Sequence, residues 1–196
     1  MSLDLAILGF LAERPRTGYD LKTRCFGGPL SAFWTADQAQ IYRTLERLKD
    51  AKVVSASRRR QASRPDRKVY EITDAGFAAL AHGLAHTEQL PALRDPFLIQ
   101  LFFSARLADE DLLSLLQSRR DEYAARLESI RVHSAELAET EGLPAREGVL
   151  RQTALDGAAT ACRATLDWLD DCIHAVEDGA LPGSEKGTGQ RHLFSS

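Results

Sequence analysis

The segment from residue 33 to residue 80 decides the fold and reads FWTADQAQIYRTLERLKDAKVVSASRRRQASRPDRKVYEITDAGFAAL. Near its start, Ile41, Leu45 and Leu48 recur at the spacing of one helix face. This pattern predicts an amphipathic helix whose apolar stripe faces a core, with the other face exposed.

The start and outer face of this predicted helix have a distinctive composition. The spacing Thr35-x-x-Gln38 is typical of a capping box and predicts that the helix opens there. Small residues come first on the outer face, then an amide, then two guanidinium groups. The outer face comprises Ala36, Ala39, Gln40, Arg43 and Arg47.

The hydrophobic period changes after the helix. Val53-Val54 and 69–72 are short, β-branched or aromatic stretches that predict two strands. Between them lies a strongly basic segment with one acid, so the pattern predicts a ribbon with a long basic tip. Thr73-Asp74 then predicts the cap of a helix that runs to about Thr87. The basic residues of the ribbon are Arg58, Arg59, Arg60, Arg64, Arg67 and Lys68.

Two further helices are predicted before this segment. Leu-rich residues 3–11 form the first, which Pro15 ends, and residues 19–26 form the second after a turn at 16–18. Phe33 and Trp34 are predicted to fill the core. The order of three helices, a hairpin and a fourth helix is that of a winged helix-turn-helix, which we assign to residues 1–90.

The second half of the chain is predicted to be helical. Pro91 and Pro96 bracket a linker, long helices are expected over 109–141 and 146–177, and residues 181–196 are expected to form a flexible tail. We therefore assign residues 91–180 to a helical dimerisation domain, because two or three helices cannot bury their apolar stripes without a second copy. The predicted fold class is mainly α with a small β-hairpin.

Charge and composition narrow the function classes. The chain has a net charge of −3, but residues 1–90 are net basic and the remainder is net acidic. No apolar run approaches the ~20 residues of a membrane span, and the N-terminus lacks a secretory signal, so we expect a cytoplasmic protein with no membrane partner. The three cysteines, Cys25, Cys162 and Cys172, are interpreted as buried thiols.

The basic elements suggest DNA as a partner. The major groove, ~12 Å wide, accepts one helix, and Arg and Gln side chains can hydrogen-bond to guanine and adenine there. For the third helix alone, the pattern favours an ordinary amphipathic helix with a solvated face, because that pattern is common, and its arginines could instead contact phosphate. The basic ribbon favours DNA over a disordered surface loop, because a duplex carries one negative charge per ~1.7 Å.

Three stretches resemble the PadR family of transcriptional regulators. They are ILGFLAERPRTGYDL (7–21), FWTADQAQIYRTLERLKDAKVV (33–54) and RPDRKVYEITDAGFAAL (64–80). Two more, DPFLIQLFFSARLADEDLLSLLQSRRDEY and ATLDWLDDCIHAVE, resemble the long C-terminal helical domain of one branch. The resemblance implies a homodimer that contacts DNA through the third helix, the turn at Tyr19 and the wing. It also implies repression that a small molecule relieves in many members.

The candidate DNA-binding residues follow from the outer helix face, the wing and this resemblance. Tyr19 is alternatively a half-buried core residue. A two-fold dimer would set two reading helices ~34 Å apart, so the expected partner is double-stranded DNA with an inverted-repeat operator. The candidates are Tyr19, Thr35, Gln38, Gln40, Tyr42, Arg43, Thr44, Arg47, Arg58, Arg59, Arg60, Arg64, Arg67 and Lys68.

Other functions have weaker support in the sequence. His82 and His86 have the spacing of metal ligands on a helix, but Gly83 stands where a zinc protease needs Glu. We predict no enzyme, metal or cofactor. Trp168 is expected to pack in the dimer interface, and an apolar effector pocket beside it is the other interpretation. The alternative function is a winged-helix module that binds a protein instead of DNA.

Overall fold

The computed structural model describes residues 2–61, 64–86, 92–140 and 142–180, and within these it places the side chains of all but residues 2, 59–61 and 64–66. The chain divides into two compact units, Met1–Leu90 and Pro91–Ser196. The predicted fold class is confirmed, since helices dominate both units and the first holds a small antiparallel sheet.

The N-terminal unit contains four α-helices and three strands among its described residues. One helical segment changes from α to π geometry, and a 3-10 turn precedes the third helix. The elements are α1 (Ser2–Glu13), β1 (Arg16–Thr17), α2 (Gly18–Asp20) continued by a π-helix (Leu21–Cys25), the 3-10 turn (Pro29–Ala32), α3 (Gln38–Asp50), β2 (Val54–Gln61), β3 (Arg64–Ile72) and α4 (Asp74–Ala85).

The core of this unit lies between α1, α3 and the sheet. Ile41 and Leu45 of α3 are fully buried, as are Ile7 of α1 and Leu21 of the π-helix. Tyr70 of β3 joins them with only its hydroxyl available for a polar contact at the edge of α3. The apolar stripe predicted for α3 is therefore the face that anchors this helix.

The predicted start of α3 is wrong by two residues. The N-cap is Asp37, whose carboxylate accepts a hydrogen bond from the Gln40 backbone at 2.7 Å, while the Gln40 side chain accepts one from the Asp37 backbone at 3.1 Å. Both Thr35-x-x-Gln38 and Asp37-x-x-Gln40 fit a capping box. The box forms at the second pair, so Thr35 lies in the loop before the helix.

The sheet has three strands in the order β1-β3-β2, one more than predicted. Arg16 and Thr17, expected in a turn, pair with Tyr70 and Val69 of β3. The ribbon strands are also longer than expected, because pairing between β2 and β3 continues through the basic residues to Gln61 and Arg64, with an irregularity between Arg59 and Gln61. Much of the predicted basic tip is therefore strand.

Two aromatic residues predicted for the core are largely exposed instead. Phe33 is 45% exposed and Trp34 is 39% exposed, and both follow the 3-10 turn. The residues on either side of them that are buried are Ala32 and Ala36. Phe26 takes the core position and packs edge-to-face against Phe10, with ring centroids 5.7 Å apart. The loop before α3 is thus anchored by small residues.

The cysteines are free thiols, and the predicted burial is confirmed for Cys25 and Cys162 but wrong for Cys172. Burial raises the pKa of the Cys25 thiol to about 11, and burial also raises the pKa of Cys172, which is half-buried. Because the thiolate is the reactive form, both groups are held in their less reactive state at neutral pH.

The end of α3 carries a strained backbone position that predicts a stabilising substitution. Lys52 has φ of 60°, and the N–H groups of Lys52 and Val53 donate to the carbonyls of Lys49 and Leu48, which is the Schellman arrangement. We expect Lys52→Gly to stabilise this unit by roughly 0.5–1 kcal/mol, since glycine removes the left-handed penalty but loses more chain entropy on folding. Urea unfolding measures the change.

Lys52→Ala is the matched control, because it removes the same long charged side chain but retains the Cβ atom that causes the strain. We expect its unfolding midpoint to stay close to that of the wild type. Equal stabilisation by alanine and glycine would assign the effect to the lost charge and contradict the strain argument.

The C-terminal unit is built from three α-helices, α5 (Pro96–Phe102), α6 (Asp109–Ala138) and α7 (Ala145–Glu177). The two long helices run antiparallel, with Arg120 paired to Asp170 and Gln152 donating to Ser134 between them. Phe97 is buried against α6 and α7, and its ring lies 6.3 Å from that of Trp168. A 3-10 turn (Ser104–Arg106) lies between α5 and α6.

The flexible tail predicted for 181–196 lies outside the described residues. Among the described residues, no helix has the length and apolar character required to cross a membrane.

Candidate nucleic-acid interface

Helix α3 presents two faces with different roles. Gln38, Tyr42 and Arg43 are exposed on one side. Thr44, which the sequence analysis placed among the DNA contacts, is only 7% exposed and lies on the core side with Leu45. The structure therefore assigns Thr44 to packing, because a residue on the buried stripe cannot reach a groove while α3 stays in place.

Gln40 is exposed but already engaged. Its side-chain oxygen accepts from the Asp37 backbone in the capping box. A bidentate contact with adenine needs the oxygen as acceptor and the amino group as donor. Because an amide oxygen has two lone pairs, the intact cap leaves one acceptor site and the amino group of Gln40 for a partner, while it restricts the orientation of the amide.

The start of α2 packs directly against α3. A Cβ atom on Gly18 would lie 2.6 Å from Cε1 of Tyr42, so the absence of a side chain at Gly18 allows the close approach. Thr17 and Asp20 form a second capping box, in which the Asp20 N–H donates to the Thr17 hydroxyl at 3.0 Å. Tyr19 is 66% exposed beside this contact, which excludes the core position considered for it.

A lysine connects the π-helix to the loop that precedes α3. The ammonium group of Lys22 donates to the Ala36 carbonyl at 3.0 Å, immediately before the cap residue Asp37. Together with the Gly18–Tyr42 contact, this fixes the two helices of the helix-turn-helix at both ends of their contact. Sequence reasoning did not identify Lys22 in this role.

Arg47 is exposed but paired within the protein. Its guanidinium forms an ion pair with Asp4 of α1, and the Asp4 hydrogen bond raises the pKa of Arg47 further. Arg43, one turn earlier, has no ion pair with any residue in the described part of the chain. The two arginines predicted as equivalent are therefore distinct, since a DNA phosphate would have to displace a carboxylate from Arg47.

Glu46 is the residue of this region that sequence reasoning missed. Its carboxylate accepts hydrogen bonds from Lys49 at 2.7 Å, from Lys68 of β3 and from the Tyr70 hydroxyl at 3.0 Å. The hydrogen bond from Lys49, followed by those from Lys68 and Tyr70, lowers the pKa of Glu46 to about 2. No local pattern links residues 22 and 24 positions apart, so only the fold shows this cluster.

The basic residues of the wing are divided between its two faces. Arg58 is paired in register with Lys68, and Ala56 with Tyr70, so these four share the face that meets α3. Arg67 lies on the opposite face, where its charge helps to lower the pKa of Asp20, after the larger effect of the Thr17 hydrogen bond. Arg58, Arg67 and Lys68 are all exposed.

The remaining candidates lie partly outside the description. The backbones of Arg59, Arg60 and Arg64 belong to β2 and β3, but their side chains are outside the described residues. Thr35 is exposed in the loop before α3. Tyr19, Gln38, Tyr42, Arg43 and the described wing cations are thus all exposed on the N-terminal unit.

Of the two histidines considered for metal binding, His82 lies on α4 and His86 directly follows this helix, and both are exposed. The rings of His82 and His86 stack with centroids 3.9 Å apart, and Nδ1 of His86 lies 2.7 Å from the His82 carbonyl. Within the described residues, no group of three or more His, Cys, Asp or Glu side chains is arranged to hold a metal ion.

Comparison with known proteins places the chain in a family. Residues 7–82 match the model of the Transcriptional regulator PadR-like family, and residues 93–177 match that of Virulence activator alpha C-term. A probable transcriptional regulator of Mycobacterium tuberculosis is 32% identical over 198 residues, which cover 91% of this chain and 99% of that protein. The chain belongs to the PadR-like family of transcriptional regulators. The resemblance stated from the sequence is confirmed, and the prediction that the chain is not an enzyme agrees with it.

Other relatives of this PadR-like regulator include the negative transcriptional regulator PadR of Bacillus subtilis, 29% identical over 129 residues that cover 65% of this chain and 70% of that protein. The crystal structure of Bacillus subtilis PadR in complex with operator DNA has a TM-score of 0.75 at 25% identity and covers 90% of this chain and 99% of that one. The Vibrio cholerae virulence activator AphA has a TM-score of 0.69 at 22% identity, covering 90% and 99% of the two chains, and shows the same fold.

Proposed function

We propose that this PadR-like regulator binds a specific operator as a homodimer, with α3 in the major groove and the wing along the phosphate backbone. The observation that carries the proposal is Arg43, which is exposed and has no ion pair with any described residue, on the N-terminal half of a helix whose opposite face is buried. N-terminal residues of a recognition helix are the ones that reach base edges. The relative that was crystallised with operator DNA supports the same assignment.

Within this interface the candidates have different roles. Gln38, Tyr42 and Arg43 face the groove, Tyr19 lies at the start of α2 for a phosphate contact, and Arg58 and Arg67 lie on the wing for the backbone. Arg59, Arg60 and Arg64 of the wing strands stay candidates for the same contact from their sequence alone. Phosphate contacts position a protein and base contacts specify the sequence, so Arg43 is the candidate for specificity.

The homodimer is supported by apolar surface on the C-terminal unit. Phe102 is 81% exposed and Phe103 is 72% exposed, and Ile99, Val149 and Leu150 are also exposed. They form two separate groups, because α5 packs near Leu169 of α7 and Val149 lies roughly 30 Å from Leu169 along that helix. Exposed apolar side chains of this kind mark interfaces, and a two-fold dimer would bury each group on both copies. The assignment of residues 91–180 to dimerisation rests on this surface.

We include repression and an effector in the proposal. The Bacillus subtilis relative is named a negative regulator, and its structure has been determined with p-coumaric acid. In this chain, α6 and α7 border a cleft of about 570 Å³, whose lining includes the apolar Ile130, Leu155 and Ala159, the cations Arg131 and Arg163 and one acid, Asp156. That volume suits a small molecule, and a lining with two arginines and one acid suits an apolar molecule that carries a carboxylate.

The test combines oligomeric state with DNA selection. Light scattering on the purified protein is expected to give a dimer at micromolar concentration. Duplexes selected by binding from a random pool are expected to share an inverted repeat and to bind roughly 10³-fold or more tightly than scrambled duplexes at physiological salt. Fluorescence anisotropy measures both affinities.

Each alternative has its own outcome in this experiment. A monomer would remove the two-fold arrangement from the proposal. Equal affinity for selected and scrambled DNA would show a basic surface without sequence specificity. A protein that binds none of the pool would favour the alternative function, a winged-helix module for a protein partner.

A further inference from the structure

One acid lies among the cations of the proposed DNA-binding surface. Glu46 is the only acidic residue of α3 apart from Asp50 at its end. An unpaired carboxylate at this place would repel a phosphate backbone. Its three hydrogen-bond donors, from Lys49, Lys68 and Tyr70, belong to both α3 and β3, so the acid connects the recognition helix to the wing.

The contact between Glu46 and β3 includes a buried tyrosine. Tyr70 is 1% exposed, and its hydroxyl donates to Glu46 at 3.0 Å. Lys68 lies two residues earlier on the same face of the strand, with its ammonium group 5.2 Å from the centre of the Tyr70 ring. The lysine is therefore held over a buried tyrosine by a carboxylate of α3, and the position of the wing strand is tied to the helix at this point.

We propose that Glu46 is a positioning residue that holds the wing against α3 and, by pairing with Lys68, removes this lysine from the cations that contact DNA phosphate. The inference deepens the proposed function and rests on it. It separates Lys68 from Arg58, its register partner, which shows no ion pair with any of the described residues. Arg58 is thereby the phosphate contact on this face of the wing.

The dependence of DNA affinity on salt reports the number of phosphates that a protein neutralises, with a slope of about −0.9 for each. Lys68→Ala is expected to leave the slope unchanged. Glu46→Gln keeps an acceptor for Tyr70 but breaks the ion pairs with both Lys68 and Lys49. The slope is expected to steepen by about 0.9 for Lys68, and this is the part that Lys68→Ala removes in the same background. The double variant is expected to lose that increase.

Glu71→Gln is the matched control, since Glu71 is an exposed acid on β3 whose register position puts it on the other face. It removes the same charge without releasing Lys68, and its slope is expected to stay near that of the wild type. A salt-dependence slope that becomes shallower by about 0.9 in Lys68→Ala, with Glu46 intact, would overturn the inference. The inference would also be overturned if Lys68→Ala left the slope unchanged both in the wild type and in the Glu46→Gln variant.

A second measurement needs no DNA and separates this inference from the proposed function. Carbon-13 NMR of the side-chain carboxyl groups follows the titration of Glu46 in the whole protein. We expect its midpoint to rise in Lys68→Ala and to stay in place in Glu71→Gln. An unchanged midpoint in Lys68→Ala would refute the pairing even if the protein binds an operator, whereas a normal rise in a protein that binds no DNA would refute the proposed function alone.

Discussion

Arg43→Ala is expected to weaken binding to the selected operator by roughly 1–3 kcal/mol, which is between about fivefold and 150-fold in affinity. Arg43 is exposed on α3 and has no ion pair with any described residue, so in the proposed complex its whole charge and its forked donors are available to the DNA. Fluorescence anisotropy on operator and scrambled duplexes measures the loss. A base contact predicts a larger loss on the operator than on scrambled DNA.

Arg47→Ala is the matched control, because it makes the same change one turn later on the same helix. Its guanidinium is paired with Asp4, so we expect a smaller loss of affinity than for Arg43→Ala. Equal losses for Arg43→Ala on operator and scrambled DNA would assign Arg43 to phosphate instead of a base. A larger effect at Arg47 would contradict the separation of the two arginines.

Gly76→Ala is expected to destabilise the N-terminal unit by roughly 1–3 kcal/mol, which is large for a single methyl group. A Cβ atom at this position would lie 2.1 Å from the Val53 carbonyl oxygen and 2.6 Å from Cγ1 of Ile72. The carbonyl belongs to the backbone and already accepts the Thr73 N–H at 3.1 Å, so it cannot move aside cheaply. Helix α4 would have to shift away from the start of the wing.

The matched control is Gly9→Ala, because a Cβ atom at Gly9 in the interior of α1 would meet nothing within 4 Å. It is expected to stabilise the unit by about 0.5–1 kcal/mol, since alanine is the better helix former. Urea unfolding followed by Trp34 fluorescence, in a Trp168→Phe background, measures both in the N-terminal unit. A similar effect of the two substitutions would show that the close contact at Gly76 does not limit packing.

The sequence predicted the elements whose signal is local. Ile41, Leu45 and Leu48 gave α3 its correct buried face because helical periodicity depends on neighbouring residues alone. Its first residue was misplaced, since two capping boxes two residues apart have equal spacing and only the surrounding fold selects between them. Trp34 was placed in the core because size favours burial, but the loop is anchored by the small Ala36.

Features that depend on distant pairs were not predictable in this way. Strand β1 has two residues, too few for any period, and exists because Tyr70 and Val69 offer a free edge. The pairing of Glu46 with Lys68 and of Arg47 with Asp4 joins residues far apart in the chain. Both pairs change which cations remain for DNA, so the candidate site could be located from sequence but its members could not be ranked.

The capping box of α3 has a consequence for how such a regulator acquires a new target. The side chains of Asp37 and Gln40 cap the start of the helix by accepting hydrogen bonds from each other's backbone. Ile41 and Leu45 anchor its buried face. Gln38 and Ala39 between these anchors are exposed. We therefore expect the fold to tolerate mutations at the two positions. With α3 in the groove as proposed, recognition would then diverge between related regulators by single substitutions, while the scaffold is inherited unchanged.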